Sequence, residues 1–170
     1  MIVGEKVNLC GITKESSNKI YEWVNNPELK RYTGTIYPVS EFEHEKWIEN
    51  KMQSKNEKIF LICTKKDSEP IGTIGLKNID FINSNVELYI SIGNNNFKNK
   101  GFGTDAVITL TDFCFERLGL HKVYLRVFES NKEAIHCYEK SGYLIEGKLQ
   151  EQHFDGGKFE NVLIMAKISN

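Results

Sequence analysis

Asn96-Phe97-Lys98-Asn99-Lys100-Gly101-Phe102-Gly103-Thr104-Asp105-Ala106 joins an apolar run, Val86 to Ile92, to a helix-like run from Ala106 to Leu118. A glycine-rich turn between a strand and a helix start presents unpaired backbone N–H groups at the positive end of the helix dipole. That arrangement suits a phosphate or pyrophosphate. Lys98 and Lys100 add positive charge. Two nucleotide motifs compete for the glycines. Gly101-Phe102-Gly103-Thr104-Asp105-Ala106 matches the G-x-G-x-x-A dinucleotide fingerprint, and Glu129 closes the next strand-like run. In a dinucleotide fold, however, the first glycine directly follows the strand, whereas Gly93 and Gly101 are well separated here. Too few β-α units follow to complete a doubly wound sheet. A Walker loop is excluded because no Gly-Lys-Ser/Thr follows.

Outward from this turn, the pattern alternates strands and helices. Val107, Leu110, Cys114 and Leu118 form a helical stripe, and Gly119 is a plausible stop. Val123, Leu125 and Val127 alternate, so Lys122 to Phe128 reads as a strand. Ser130-Asn131-Lys132-Glu133 fits a capping box for a helix reaching Ser141, ended by Gly142. Tyr143 to Gly147 and Lys148 to Phe154 read as extended, Asp155-Gly156-Gly157 as a hairpin turn, and Phe159 to Ile168 as a final strand.

Upstream, Lys6 to Leu9 reads as an edge strand. Ser16 to Val24 reads as a helix with Ile20, Trp23 and Val24 inward, halted by Asn25-Asn26-Pro27. Glu28 to Thr33 is ambiguous and Gly34 to Ser40 reads as loop. Glu41 to Lys51 reads as a helix with Phe42, Trp47 and Ile48 as its apolar members. Lys58 to Thr64, Ile71 to Leu76 and Val86 to Ile92 read as strands. Tight turns make antiparallel neighbours and helical crossovers make parallel ones. The expected fold is α/β (α+β): a mixed, mostly antiparallel, twisted sheet of about seven strands with helices on both faces, in one domain over residues 1–170.

The bulk properties are those of an ordinary globular domain. Hydrophobic residues make up 40% and charged residues 26%. A formal net charge of −1 does not suggest a nucleic-acid or membrane binder. The N-terminus shows no signal-peptide pattern, and no apolar run approaches the roughly 20 residues that span a bilayer. Cys10, Cys63, Cys114 and Cys137 are scattered with no C-x-x-C pair, so free thiols in a reducing, cytoplasmic setting are expected, with no metal site.

Lys98-Asn99-Lys100-Gly101-Phe102-Gly103 resembles the Q/R-x-x-G-x-G/A coenzyme A motif of the GNAT acetyltransferases, with Lys98 in place of the usual Gln or Arg. Asn131-Lys132-Glu133-Ala134-Ile135-His136-Cys137-Tyr138-Glu139-Lys140-Ser141-Gly142-Tyr143 is similar to that superfamily's N-x-x-A-x-x-x-Y-x-x-x-G-F/Y segment. Pro70 to Leu76 looks like its third strand, and Trp23 to Glu28 like its substrate-side segment. The resemblance runs along nearly the whole chain. Its C-terminal two-thirds looks most like the branch that acetylates spermidine and ribosomal-protein termini.

The resemblance implies acetyl transfer from acetyl-CoA, with no metal, to a primary amine. The pyrophosphate would sit on Lys98, Asn99, Lys100, Gly101, Phe102, Gly103 and Thr104. The pantetheine arm would run along Ile90, Ser91 and Ile92, where the strand parts from Lys122 to Phe128. A free N–H there would polarise the thioester carbonyl. Asn131 and Ala134 would orient the coenzyme, although Asn131 also reads as a helix cap.

Tyr138 would protonate the leaving thiolate, although its helical position equally suits core packing. Glu87 is the candidate base for the amine, directly or through a water; a solvated strand glutamate is the alternative. His136 and His153 are secondary candidates. Cys137 could suggest a covalent route, but it occupies a variable motif position, and direct attack is expected.

Substrate choice falls to Glu28, Tyr32 and Glu41, within an acidic stretch that suits a cationic polyamine or is simply a solvated helix face. Trp23, Tyr37 and Trp47 could line the acceptor pocket or belong to the core. A protein N-terminus and an amino sugar are alternative acceptors. Non-catalytic acyl-CoA binding is the alternative of another class. A homo-oligomer, dimer or larger, is expected from the final strands and exposed sheet edge.

Overall fold

A computed structural model describes residues 1–33 and 36–170 of the chain, with the Thr33 side chain excluded. Gly34 and Thr35, at the start of the expected loop, lie outside the described residues. In chain order the elements are β1 (Ile2–Val3), β2 (Val7–Cys10), α1 (Lys14–Asn25), α2 (Pro27–Thr33), α3 (Glu41–Gln53) and β3 (Lys58–Thr64). There follow β4 (Pro70–Asp80), β5 (Asn85–Ile92), α4 (Phe102–Glu116), β6 (Lys122–Phe128), α5 (Lys132–Lys140), β7 (Leu144–Asp155) and β8 (Lys158–Ile168). The strands form one sheet of eight in the order β1-β2-β3-β4-β5-β6-β8-β7. Every pairing is antiparallel except β5 with β6, which α4 joins as a crossover. The eighth strand is the two-residue β1, too short to show a period in sequence.

Alternation along the strands gives each face its own core. Val7, Leu9, Ile62, Ile74, Leu76, Val86, Leu88, Val123, Leu125 and Met165 pack under α4 and α5. Leu61 and Cys63 face the other way, under Ile20, Trp23 and Val24 of α1 and Trp47 and Ile48 of α3. Helices therefore cover both faces, as expected. Val107, Leu110 and Cys114 of α4 are fully buried. Gly119, in a left-handed conformation (φ 66°), follows the end of α4.

Several local expectations are corrected. The ambiguous Glu28–Thr33 segment is α2, which starts at Pro27, where a proline's missing N–H costs nothing. Phe42 is 85% exposed; the inward stripe of α3 is His44, Trp47, Ile48 and Lys51 instead. His44 is buried with its Nε2 bonded to Ser17. The Lys51 ammonium sits 5.8 Å from the Trp47 ring centroid and 5.7 Å from that of Tyr89. The cap of α5 is Asn131, whose Oδ1 accepts from the Ala134 N–H at 3.2 Å. Ser130 donates instead to Glu160, and Glu133 accepts from Asn99. The glycine turn belongs partly to α4, which begins at Phe102 rather than Ala106. The two extended pieces after Tyr143 form one strand, β7, broken by register shifts against β8. All four cysteines are free, with Cys63 and Cys114 buried and Cys10 and Cys137 half-buried.

Candidate active site

The sheet forks between β5 and β6. Their parallel ladder holds only Asn85↔Lys122, Val86↔Val123 and Glu87↔Tyr124. Beyond it, β5 continues on β4 as far as Ile92, and β6 continues on β8 as far as Phe128. Leu88 to Ile92 therefore carry no ladder partner on the β6 side. Buried backbone groups left in this way need a ligand or water. Ile90, Ser91 and Ile92, the sequence-derived donor strand, occupy this free half of β5.

The glycine turn closes the same fork. Asn99 (φ 58°) and Gly101 (φ 83°) are left-handed, which turns the chain sharply into α4. Thr13, Ser40 and Asn131 cap α1, α3 and α5 with side-chain oxygens, but α4 has no side-chain cap. Its first-turn N–H groups thus remain available to an anion. A methyl group built on Gly103 would lie 3.8 Å from both the Cys137 Sγ and the Ile92 Cγ1. Nothing in the protein itself demands glycine there, and β5, α4 and α5 converge on this point. Two further links tie the turn to α5: Asn99 donates to Glu133 (3.3 Å) and the Thr104 hydroxyl donates to the Cys137 Sγ (3.4 Å). Lys98 follows the short 3₁₀ turn Asn95–Phe97, and the Phe102 ring meets Phe97 edge-on at 5.4 Å. The Lys100 carbonyl accepts from the Lys6 ammonium.

Tyr138 lies on α5 with 6% exposure, its ring 6.2 Å from that of Tyr143. Burial pushes its phenol well above the ordinary range, so it holds its proton throughout the working pH range. Its ring packs in the core beneath the sheet's helices. Burial also raises the Cys137 thiol, which makes it a poor nucleophile.

Glu87 ends the paired part of the ladder and is 3% exposed, so it is not a solvated strand glutamate. Its Oε1 lies 3.1 Å from the Lys77 Nζ and 3.7 Å from the Arg126 Nε, and its Oε2 accepts from Asn78 at 3.1 Å. Asn78 reaches it from a bulge in β4, where it is left-handed (φ 54°). Two cations and one amide N–H donor thus surround the carboxylate. Glu87, Tyr89 and Ser91 share the sheet face opposite α4 and α5, as do Arg126 and Phe128 of β6.

On that opposite face, a cleft of about 340 Å³ is lined by Lys19, Glu22, Trp23, Asn26, Pro70, Gly93, Asn94 and Asn95. Trp23 lies so close to Gly93 that an added methyl would fall 2.2 Å from its ring. Glu28 joins the cleft rim by accepting from Asn95 (3.0 Å). Tyr32 is 48% exposed under the Arg31 guanidinium, and Arg31 pairs with Asp155 at the β7–β8 hairpin tip.

Glu41 stands exposed on the first turn of α3 and is not part of the cleft lining. Glu43 is committed to capping Ser40, whose backbone and side-chain hydrogen bonds lower its pKa. Trp47 belongs to the core and Tyr37 is exposed. His136 faces solvent beside Glu139, and His153 stacks on Phe128 at 4.0 Å. Among the described residues, no group of three or more His, Cys, Asp or Glu side chains could hold a metal. Among the described residues, no helix is long and apolar enough to cross a membrane.

Sequence reading missed Asp105. Its carboxylate accepts from the backbone N–H groups of Glu5, Lys6 and Val7 (3.2, 2.8 and 2.9 Å) and so ties the start of α4 to the β1–β2 turn. These partners are about a hundred residues away in sequence, and no local signal announces them.

The acetyltransferase (GNAT) domain model matches residues 6–144. The spermidine N(1)-acetyltransferase of Escherichia coli K12 is 28% identical over 160 residues, covering 94% of this chain and 84% of that protein. The Vibrio cholerae spermidine N(1)-acetyltransferase is 30% identical over 125 residues, covering 74% and 72%. The crystal structure of the Vibrio cholerae spermidine N-acetyltransferase in complex with CoA and spermine superposes with a TM-score of 0.87 at 27% identity, covering 96% of this chain and 95% of that one. The chain belongs to the GNAT acetyltransferase family.

Proposed function

We propose that this GNAT enzyme moves the acetyl group of acetyl-CoA onto a primary amine of a polyamine such as spermidine, by direct attack and with no acyl-enzyme. The fork between β5 and β6, closed by the uncapped start of α4, carries the reading. Acetyl-CoA supplies a thioester whose carbonyl accepts the amine. The backbone of Ile90, Ser91 and Ile92 offers unpaired groups that hold the peptide-like pantetheine arm as an added strand and polarise that carbonyl. The N–H groups from Asn99 to Thr104, with Lys98 and Lys100, hold the diphosphate, and Asn131 and Ala134 border it from α5. Glycine at 103 leaves room for close approach.

The amine nitrogen bonds to the carbonyl carbon, the carbon–sulfur bond breaks, the sulfur takes the Tyr138 proton, and the second proton released by the acetylated nitrogen restores the phenol through solvent. Before attack the amine must lose a proton, because its pKa near 10 keeps it charged at neutral pH. Glu87, on the acceptor face at the mouth of the fork, accepts that proton through a water. A carboxylate at this place also attracts an ammonium group.

Glu28 and Tyr32 would meet the distal part of the amine, together with Glu22 and Trp23 in the same cleft. Glu41 would act only at longer range. The apolar side chains Leu144, Ile145, Phe154 and Phe159 exposed on the β7–β8 hairpin favour assembly of copies of the chain. Thiol release from acetyl-CoA over an amine panel tests the reading. Release with spermidine but not with an alanine-initiated peptide or an amino sugar supports it. CoA binding without turnover on any amine would leave only an acyl-CoA-binding module.

A further inference from the structure

We propose that the cleft between the start of α4 and the β3–β4 turn is a second anion site, for a small phosphate-rich ligand separate from the acetyl donor. The cleft is about 540 Å³ and is lined by Glu5, Lys6, Lys65, Lys66, Lys100 and Phe102. Four ammonium groups from three segments converge there against one carboxylate, in a chain whose net charge is −1. Among the described residues none of the four lysines is in an ion pair. The nearest carboxylate on α4, Asp105, is occupied by the backbone of Glu5, Lys6 and Val7. Two of the ammonium groups are fixed in place: Lys6 donates to the Lys100 carbonyl (3.2 Å) and Lys65 to the Gly4 carbonyl (2.9 Å). Like charges gathered without counter-charge repel one another, and an anion between them removes that cost.

The cleft and the fork lie on different sides of the α4 start, and the cleft shares only Lys100 and Phe102 with the proposed diphosphate seat. A methyl on Gly101 would meet the Lys6 Nζ at 2.9 Å, toward the cleft, whereas one on Gly103 points at Ile92 and Cys137, toward the fork. No residue of β5, β6 or α5 lines the cleft. Lysines bind phosphate groups as point charges. Phe102 supplies one aromatic wall of this open cleft.

Calorimetric titration of inorganic tripolyphosphate into the full chain tests this. One anion should bind per chain, more weakly as salt rises. The Lys65→Gln/Lys66→Gln double variant should bind it at least about tenfold more weakly, with unchanged melting temperature and unchanged CoA affinity. Tripolyphosphate should still bind when CoA is saturating. Absence of binding, equal binding by the variant, or one-for-one displacement by CoA would each overturn the proposal. The last result would make the cleft part of the donor's own seat. A chain that bound tripolyphosphate but not CoA would remove the donor reading and leave this one standing.

Discussion

Replacing Tyr138 with Phe separates chemistry from packing. The ring is the packed part of this residue, 6% exposed and beside Tyr143. The neighbouring polar bonds, Thr104 to Cys137 and Thr111 to Tyr143, bypass its hydroxyl. Removing that oxygen should therefore cost about 1 kcal/mol of stability or less, a melting shift of roughly 2–4 °C at most for a chain of this length. As a general acid the same oxygen is worth roughly 10²–10⁴-fold in kcat, or about 3–5 kcal/mol of barrier. The two effects differ enough to be read apart. Thiol release gives kcat, calorimetry gives CoA affinity, and thermal melting gives stability. A large fall in kcat with near-native affinity and melting is expected. An unchanged kcat would remove Tyr138 as the acid, and a collapsed melting temperature would show its hydroxyl to be structural.

Glu87→Gln leaves Lys77 and Arg126 facing a neutral amide and should cost about 1–3 kcal/mol, limited because both cations are partly exposed. Its kcat deficit should shrink toward pH 10, where the amine deprotonates unaided; a pH profile parallel to wild type would dismiss Glu87 as the base. Asp105→Ala strips the acceptor from three backbone N–H groups and should cost about 2 kcal/mol or more. Faster hydrogen exchange at Lys6 and Val7 would show it, and unchanged exchange would contradict the tie. Burial raises Cys63 to about 11 and Cys114 to about 12, and pushes Tyr89, Tyr138 and Tyr143 above their usual value near 10. In the unfolded chain these groups ionise first, so the stability they confer is complete below about pH 9 and is lost as pH rises above it, by up to about 1.4 kcal/mol per unit for each group. Urea unfolding at pH 8, 10 and 11 measures this, and a flat profile would contradict it.

Much of this architecture was readable from periodicity. Val123, Leu125 and Val127 alternate because one face of β6 is buried, and the α4 stripe repeats because one side of that helix meets the sheet. The proposed donor side rests on residues that cluster in two sequence motifs. The rest depended on contacts between distant segments. Phe42 reads as inward because it is apolar, but the α3 stripe uses His44 and Lys51, whose polar character disguises their inward placement. Ser130 looked like a cap until Glu160, thirty residues away, claimed its hydroxyl. The setting of Glu87 comes from Lys77, Asn78 and Arg126 on neighbouring strands, and strand register is not written in any one strand. The acidic stretch divided in the same way: Glu28 reaches the cleft through Asn95, while Glu43 is held by Ser40 and Glu41 stands apart.

A crystal structure of the chain with CoA and spermidine tests the central claim most directly. The account predicts the pantetheine arm between β5 and β6 alongside Ile90 to Ile92, the diphosphate on the N–H groups of Gly101 to Thr104, and the thiol within hydrogen-bond reach of the Tyr138 hydroxyl. It places the amine on the opposite face beside Glu87. CoA bound outside the fork, or a thiol beyond reach of Tyr138, would contradict it.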